Sequence, residues 1–218
     1  MNPRTATCRA CAGLLILLVY ATPSSHAGGP LTIGGPSFGI EGQAFLWDNS
    51  KPIQYRTDGG PLGALSNSSA NSLVAQAFQQ WTQVPTAKLS VSRIGSILGV
   101  ADGNVNTMAE LDAVIASCNA GTQTAIIYDD NGVLLQQLTG DDGVLGISGP
   151  CALSVSGTVQ SAFSLLGNPS FLPPNSVPAV MTHEFGHLLG LGHTDIRDPL
   201  RREPHKLTST LFQPCTGS

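Results

Sequence analysis

The sequence predicts an α+β fold in which a β-sheet packs against two or three helices. Apolar and polar residues alternate over 53–57, as expected of a half-buried strand. Apolar residues recur at helical spacing over 68–84, and a proline at position 85 ends that pattern. The β-branched run 124–128 predicts a strand that is buried on both faces. At 218 residues the chain is long enough to bury one core of this kind.

The remaining elements are predicted from local patterns. Thr107 and Glu110 form a capping-box pattern ahead of apolar residues, which predicts that a helix begins there. A proline suited to the first helical turn predicts that the last helix begins near Ser176–Pro178. In chain order, the predicted strands cover 45–56, 89–92, 124–128 and 153–159, and the predicted turns and loops cover 58–61, 129–132, 140–143 and 168–174.

The N-terminal segment has the pattern of a secretory signal peptide. Two arginines precede the apolar run 10–20, and Ser25 and Ala27 are small residues of the kind that a signal peptidase requires. The run is short for a bilayer span, although an uncleaved membrane anchor is the alternative. We therefore expect residues 1–27 to be removed and the protein to be secreted, or periplasmic if its source is bacterial.

Composition divides the rest of the chain into three regions. Residues 28–44 are rich in glycine and proline and predict a flexible leader, residues 45–193 form one predicted domain, and residues 194–218 form a short, more basic tail. The chain has 10 Lys and Arg against 14 Asp and Glu, with no dominant basic patch, which argues against a nucleic-acid partner. No later apolar run approaches about 18 residues, so no membrane segment is expected after signal cleavage.

Three cysteines remain after the predicted cleavage. An exported chain tolerates disulfides, and Cys118 with Cys151 is the preferred pair. Cys215 is then unpaired or forms an intermolecular bond. Three free buried thiols are the alternative.

Three histidines and one glutamate lie within eleven residues near the end of the predicted domain. His183 and His187 are four residues apart, so on a helix their imidazoles stand on one face and can share a zinc ion. Glu184 lies beside that face, where a carboxylate can take a proton from zinc-activated water. Gly190 allows a left-handed turn that brings His193 round as a third ligand. Three protein ligands leave a fourth position open, as catalytic zinc requires.

These eleven residues match the pattern H-E-x-x-H-x-x-G-x-x-H and so resemble the zinc signature of the metzincin metalloendopeptidases. Further upstream the chain is similar to the matrixin branch of that family. Residues 77–84 are similar to its first helix, and residues 53–56 and 88–91 are similar to strands that flank that helix. The resemblance covers about residues 45–193.

The resemblance implies a metzincin-like twisted mixed β-sheet and an active-site helix that carries the zinc motif. It implies that His183, His187 and His193 bind Zn²⁺ and that Glu184 is the general base. The implied reaction is the hydrolysis of internal peptide bonds, with proteins or peptides as the substrates.

The chain departs from the family pattern after His193. Metzincins have a methionine turn beneath the zinc, whereas the methionines here are at positions 1, 108 and 181. Residues 194–218 are too few for the usual wall of the specificity pocket. We therefore expect a truncated or frame-shifted version of a longer enzyme, with a lineage that has a short C-terminus as the alternative. A zinc-binding relative without catalytic activity is the main functional alternative.

Two aspartate pairs are candidate calcium ligands. Asp129, Asp130, Asp141 and Asp142 offer carboxylate oxygens of the kind that Ca²⁺ prefers, and matrixins commonly bind calcium in their equivalent loops. The same residues are also ordinary turn formers, so simple turns are the alternative. A secreted structural or adhesive domain and a small-molecule hydrolase are the remaining functional alternatives.

Overall fold

A computed structural model describes residues 29–167 and 176–193. In this part of the chain helices pack on a mixed, mostly parallel sheet, which confirms the α+β prediction at that level. The elements are β1 (Leu46–Trp47), β2 (Ile53–Thr57), α1 (Asn67–Thr82), β3 (Val91–Ser96), α2 (Met108–Asn119), β4 (Thr124–Asp129), α3 (Val133–Thr139), β5 (Gly146–Leu153), β6 (Thr158–Gly167) and α4 (Val177–Leu188).

The sheet has the strand order β1-β6-β4-β2-β3, and its neighbours along this path are parallel. The long strand β6 also pairs with β5, which runs antiparallel to it. Within the described residues β5 is hydrogen-bonded to β6 alone, so β5 forms an edge of the sheet.

The core lies on both faces of the sheet because every residue of β4 is buried. Ile126 and Tyr128 face the cluster that contains α1 and α4, whereas Ala125 and Ile127 face the cluster that contains α2 and α3. This division follows from the two-residue period of a strand. Packing against α1 positions the last helix, α4, because the rings of Phe78 in α1 and Phe185 in α4 stack with their centroids 4.1 Å apart.

Two local predictions are confirmed in α2. Thr107 caps the helix by accepting a hydrogen bond from the Glu110 backbone N–H, and the Glu110 side chain in turn accepts one from the Thr107 backbone. Cys118 at its end is joined by a disulfide to Cys151 of β5. The third cysteine, Cys215, lies outside the described residues.

The predicted strand over 153–159 is wrong. Residues 154–157 form the turn between β5 and β6, in which Ser154 N–H donates to the Thr158 carbonyl and Gly157 has a φ of +88°. The predicted strand over 45–56 is two strands, β1 and β2, separated by a turn, and the strand predicted at 89–92 begins at Val91 instead.

The helix α3 was not predicted. Its seven residues lie between the two aspartate-rich turns and are too few to show helical periodicity. Gly132 and Gly140 bound it in left-handed conformations. The carboxylate of Asp129 accepts a hydrogen bond from Leu135 N–H at 2.8 Å and so helps to hold its first turn.

The leader predicted over 28–44 is held to the domain from residue 29 onward. Pro30 forms a bridge with Leu191, and Ile33 forms one with Ala44. The aromatic rings of Phe38 and Phe45 meet edge to face at 5.0 Å. The segment therefore makes defined backbone contacts with the domain, and its flexibility stays a prediction.

Several predictions lie outside the described residues. They concern the signal peptide over 1–27, the loop over 168–174 and the tail over 194–218. Among the helices that the structure describes, none is both long enough and apolar enough to cross a membrane.

Candidate metal centre

The helix α4 carries three of the four predicted site residues. Its first turn contains a proline, as predicted, and its apolar face is buried through Met181, Phe185 and Leu188. That burial turns the opposite face outward, so His183 is exposed and His187 is partly exposed. The helix is thus oriented by its core side and presents imidazoles on its other side.

Two tryptophans fix the position of α4. The indole N–H of Trp81 donates to the carbonyl of Thr182 at 2.8 Å, and that of Trp47 donates to the carbonyl of Leu188 at 3.2 Å. Gly186 allows the close approach of Trp81, because a Cβ at that position would lie 2.9 Å from the indole Cζ2. A glycine within a strongly predicted helix is the sequence signal that could have indicated this contact.

The helix ends in the turn that the sequence predicts. Gly190 has a φ of +98°, in the left-handed region that favours glycine. Leu191 N–H donates to the Gly186 carbonyl and Gly190 N–H donates to the His187 carbonyl, both at 2.9 Å. These two bonds form a Schellman motif, which reverses the chain and returns His193 to the exposed face of α4.

The three imidazoles converge on one point. The Nε2 atom of His183 lies 3.2 Å from that of His187 and 3.2 Å from that of His193, and the latter two are 3.0 Å apart. Three nitrogens bound at about 2.0–2.1 Å to a tetrahedral zinc lie about 3.3 Å from one another. The group could therefore hold a metal ion, and it is the only cluster of three or more such side chains within 29–167 and 176–193.

A backbone carbonyl orients one of these rings. The Nδ1 atom of His187 lies 2.7 Å from the carbonyl oxygen of Leu191, an acceptor, so Nδ1 carries the proton and donates it. The lone pair of Nε2 is then directed at the point where the three imidazoles converge. Burial and the neighbouring imidazoles lower the pKa values of His183 and His193, which favours the neutral, ligating form.

Glu184 lies on the buried edge of the same helix and is 7% exposed. Its Oε2 has no hydrogen-bond partner within the part of the chain that the structure describes. Burial raises the pKa of its carboxyl, against the lowering effects of the Ser148 hydroxyl and the nearby imidazoles of His187 and His193. An unpaired carboxylate oxygen beside three convergent imidazoles is an arrangement that can accept a proton.

A glycine of β5 makes the space for this carboxyl group. A Cβ on Gly146 would lie 2.6 Å from Cγ of Glu184 and 2.8 Å from its Cδ. No local pattern in the sequence indicates Gly146, because its role depends on a contact with a helix that begins about thirty residues later.

Within the described residues, none of the four predicted calcium ligands belongs to a group of three or more side chains that could hold a metal ion. Asp129 is 2% exposed and is engaged with α3, while Asp141 accepts a hydrogen bond from Gly143 N–H within its own turn. Asp130 and Asp142 are exposed. Calcium binding stays a prediction.

No protein-family model matches the chain, and no curated protein sequence matches it significantly.

Proposed function

We propose that the protein is a secreted, zinc-dependent endopeptidase of the metzincin type. The observation that carries the proposal is the convergence of the Nε2 atoms of His183, His187 and His193 beside the buried Glu184, whose Oε2 is unpaired in the described residues. Neutral imidazoles in a three-nitrogen set suit zinc, and three protein ligands leave one coordination position for reactants.

The metal would supply Lewis acidity, which polarises the substrate carbonyl and lowers the pKa of a water molecule toward about 7. The three histidines would hold the ion through their Nε2 atoms. Glu184 takes the proton from the attacking water and delivers it to the nitrogen of the leaving amine. Burial raises the pKa of Glu184, so its carboxylate is a stronger base than an exposed glutamate.

The position of β5 favours a peptide as the substrate. This edge strand passes beside Glu184 at Gly146, and in the described residues its second edge has no strand partner. An extended peptide can add to such an edge through backbone hydrogen bonds, which would hold it next to the metal position. A small ester has no backbone to make these bonds.

The test is the hydrolysis of an unbiased peptide mixture by a protein that begins at Gly28. We expect cleavage at internal bonds, loss of cleavage with a zinc chelator and recovery when zinc is restored. The matched variant Glu184→Gln should retain zinc and lose cleavage by at least about 100-fold, the scale of a general base. One bound zinc without any cleavage would refute the proposed endopeptidase activity and support the alternative of a zinc-binding relative without catalytic activity.

A further inference from the structure

Residues 29–31, here called the N-terminal strap, run antiparallel to the loop that joins His187 to His193. The two segments are bridged at Pro30 and Leu191. Leu31 N–H donates to the Gly190 carbonyl at 2.7 Å, and Gly192 N–H donates to the Gly29 carbonyl at 2.7 Å. The strap thus adds a short piece of sheet to the outer side of this loop.

The same peptide group connects the strap to a histidine. The peptide between Leu191 and Gly192 donates its N–H to Gly29, while its carbonyl accepts the hydrogen bond from His187 Nδ1. Because a peptide group is planar, fixing its N–H also fixes the direction of its carbonyl. The strap therefore acts on the ring orientation of His187.

The preceding peptide group is held in the same two-sided way. The peptide between Gly190 and Leu191 donates its N–H to Gly186 of α4 and accepts the hydrogen bond from Leu31 with its carbonyl. Two consecutive peptide groups thus connect the strap to α4. One is hydrogen-bonded to the α4 backbone at Gly186, and the other is hydrogen-bonded to the side chain of His187. They lead directly into His193.

The strap is in close contact with the loop and is attached to the sheet. A Cβ on Gly192 would lie 3.1 Å from the Gly29 carbonyl oxygen, so the two backbones approach as closely as glycine allows. Beyond the strap, Phe45 N–H donates to the Thr32 carbonyl at 3.3 Å, next to β1. The side chain of Leu31 reaches Gly149 of β5.

We propose that the N-terminal strap is a positioning element of the metal centre, which holds the 190–192 loop so that His187 and His193 direct their Nε2 atoms at one ion. The inference rests on the metal binding in the proposed function, not on catalysis. Removing outer partners of metal ligands commonly weakens metal affinity by about 10–100-fold, and the same range is expected here.

The test measures the zinc dissociation constant by competition with a chromophoric chelator, using a protein that begins at Gly28. Leu31→Pro removes the N–H donor to Gly190, and Leu31→Ala keeps the donor but removes the side chain. We expect the proline variant to bind zinc about 10–100-fold more weakly and the alanine variant to bind within about threefold of the parent. The absorption spectrum of bound Co²⁺ should change in the proline variant alone.

A second pair of variants guards against a proline variant that fails to fold. Gly192→Ala places a methyl group against the strap, whereas Gly35→Ala meets nothing within 4 Å. The first should weaken zinc binding and the second should not.

The outcomes separate this inference from the proposed function. Equal zinc affinities in all four variants and the parent would overturn the positioning role while leaving the endopeptidase intact. Faster peptide cleavage with unchanged zinc affinity would also overturn it, because the strap would then obstruct the cleft. A parent protein that binds no zinc would overturn both proposals.

Discussion

Replacing Gly146 with alanine should displace the proposed general base without touching the metal ligands. The added Cβ would lie 2.6 Å from Cγ of Glu184, and relief to an ordinary contact of 3.4 Å requires a movement of about 0.8 Å. A misplacement of about 1 Å in a catalytic group costs about 100-fold in rate, or about 2.7 kcal/mol in the activation barrier. A Cβ on Gly146 has its three nearest contacts with Glu184 and none with the three imidazoles, so they should keep their zinc.

The assay compares kcat, bound zinc and thermal midpoint for Gly146→Ala and for Gly149→Ala on the same strand. A Cβ on Gly149 would make only an ordinary contact of 3.4 Å with Leu31, so this variant is the matched control. We expect kcat to fall about 100-fold in the first variant and less than threefold in the second, with about one zinc retained in both. Equal kcat values in the two variants would refute the role assigned to Gly146.

Three further predictions concern the elements around the site. Burial raises the pKa of Asp58 to about 6 from 3.8, so the folded state binds this proton more tightly than the unfolded state does. The stability of the parent relative to Asp58→Asn should therefore be greatest below about pH 4 and fall by up to about 3 kcal/mol as the pH rises through 6. Replacing Cys118 and Cys151 together with serine should lower the free energy of unfolding by about 3–4 kcal/mol, since the bridge closes a loop of 33 residues. Gly190→Ala should cost about 1–2 kcal/mol at its positive φ and weaken zinc binding at least about tenfold, because the turn that returns His193 is strained.

Each of these predictions has a result that contradicts it. Denaturant titrations measure the free energy of unfolding of the parent and of Asp58→Asn between pH 4 and 7. A constant difference between the two would mean that the carboxyl of Asp58 titrates normally. Unchanged unfolding of the cysteine double variant would mean that the bridge does not form in solution. Tight zinc binding by Gly190→Ala would show that the left-handed turn is not needed to place the third imidazole.

The convergence of the three histidines could be predicted because these residues are close in sequence. Helical geometry alone places His183 and His187 on one face, and a glycine three residues later supplies the turn that places His193. The same reasoning succeeded for the capping box of α2, which spans four residues. Local geometry therefore determines most of this histidine cluster.

The features of the fold and of the site that could not be predicted depend on contacts between segments that are distant in sequence. Asp58 looked like an ordinary turn residue, yet it is fully buried and accepts hydrogen bonds from the backbone of Gly60, Val105 and Tyr128. The strap is built from backbone hydrogen bonds, which impose no side-chain pattern, so its glycines and proline indicated only a flexible leader. The sequence predicts strand across the turn at 154–157 because residues of similar β-propensity flank it on both sides.

The central claim is that His183, His187 and His193 hold one zinc and leave a position open. X-ray absorption at the zinc edge tests it directly on the zinc-loaded protein and on His193→Ala. We predict three imidazole nitrogens at about 2.0–2.1 Å with one oxygen in the parent, and loss of one imidazole together with much weaker binding in the variant. A sulfur ligand in the parent, or an unchanged zinc environment in His193→Ala, would contradict the account.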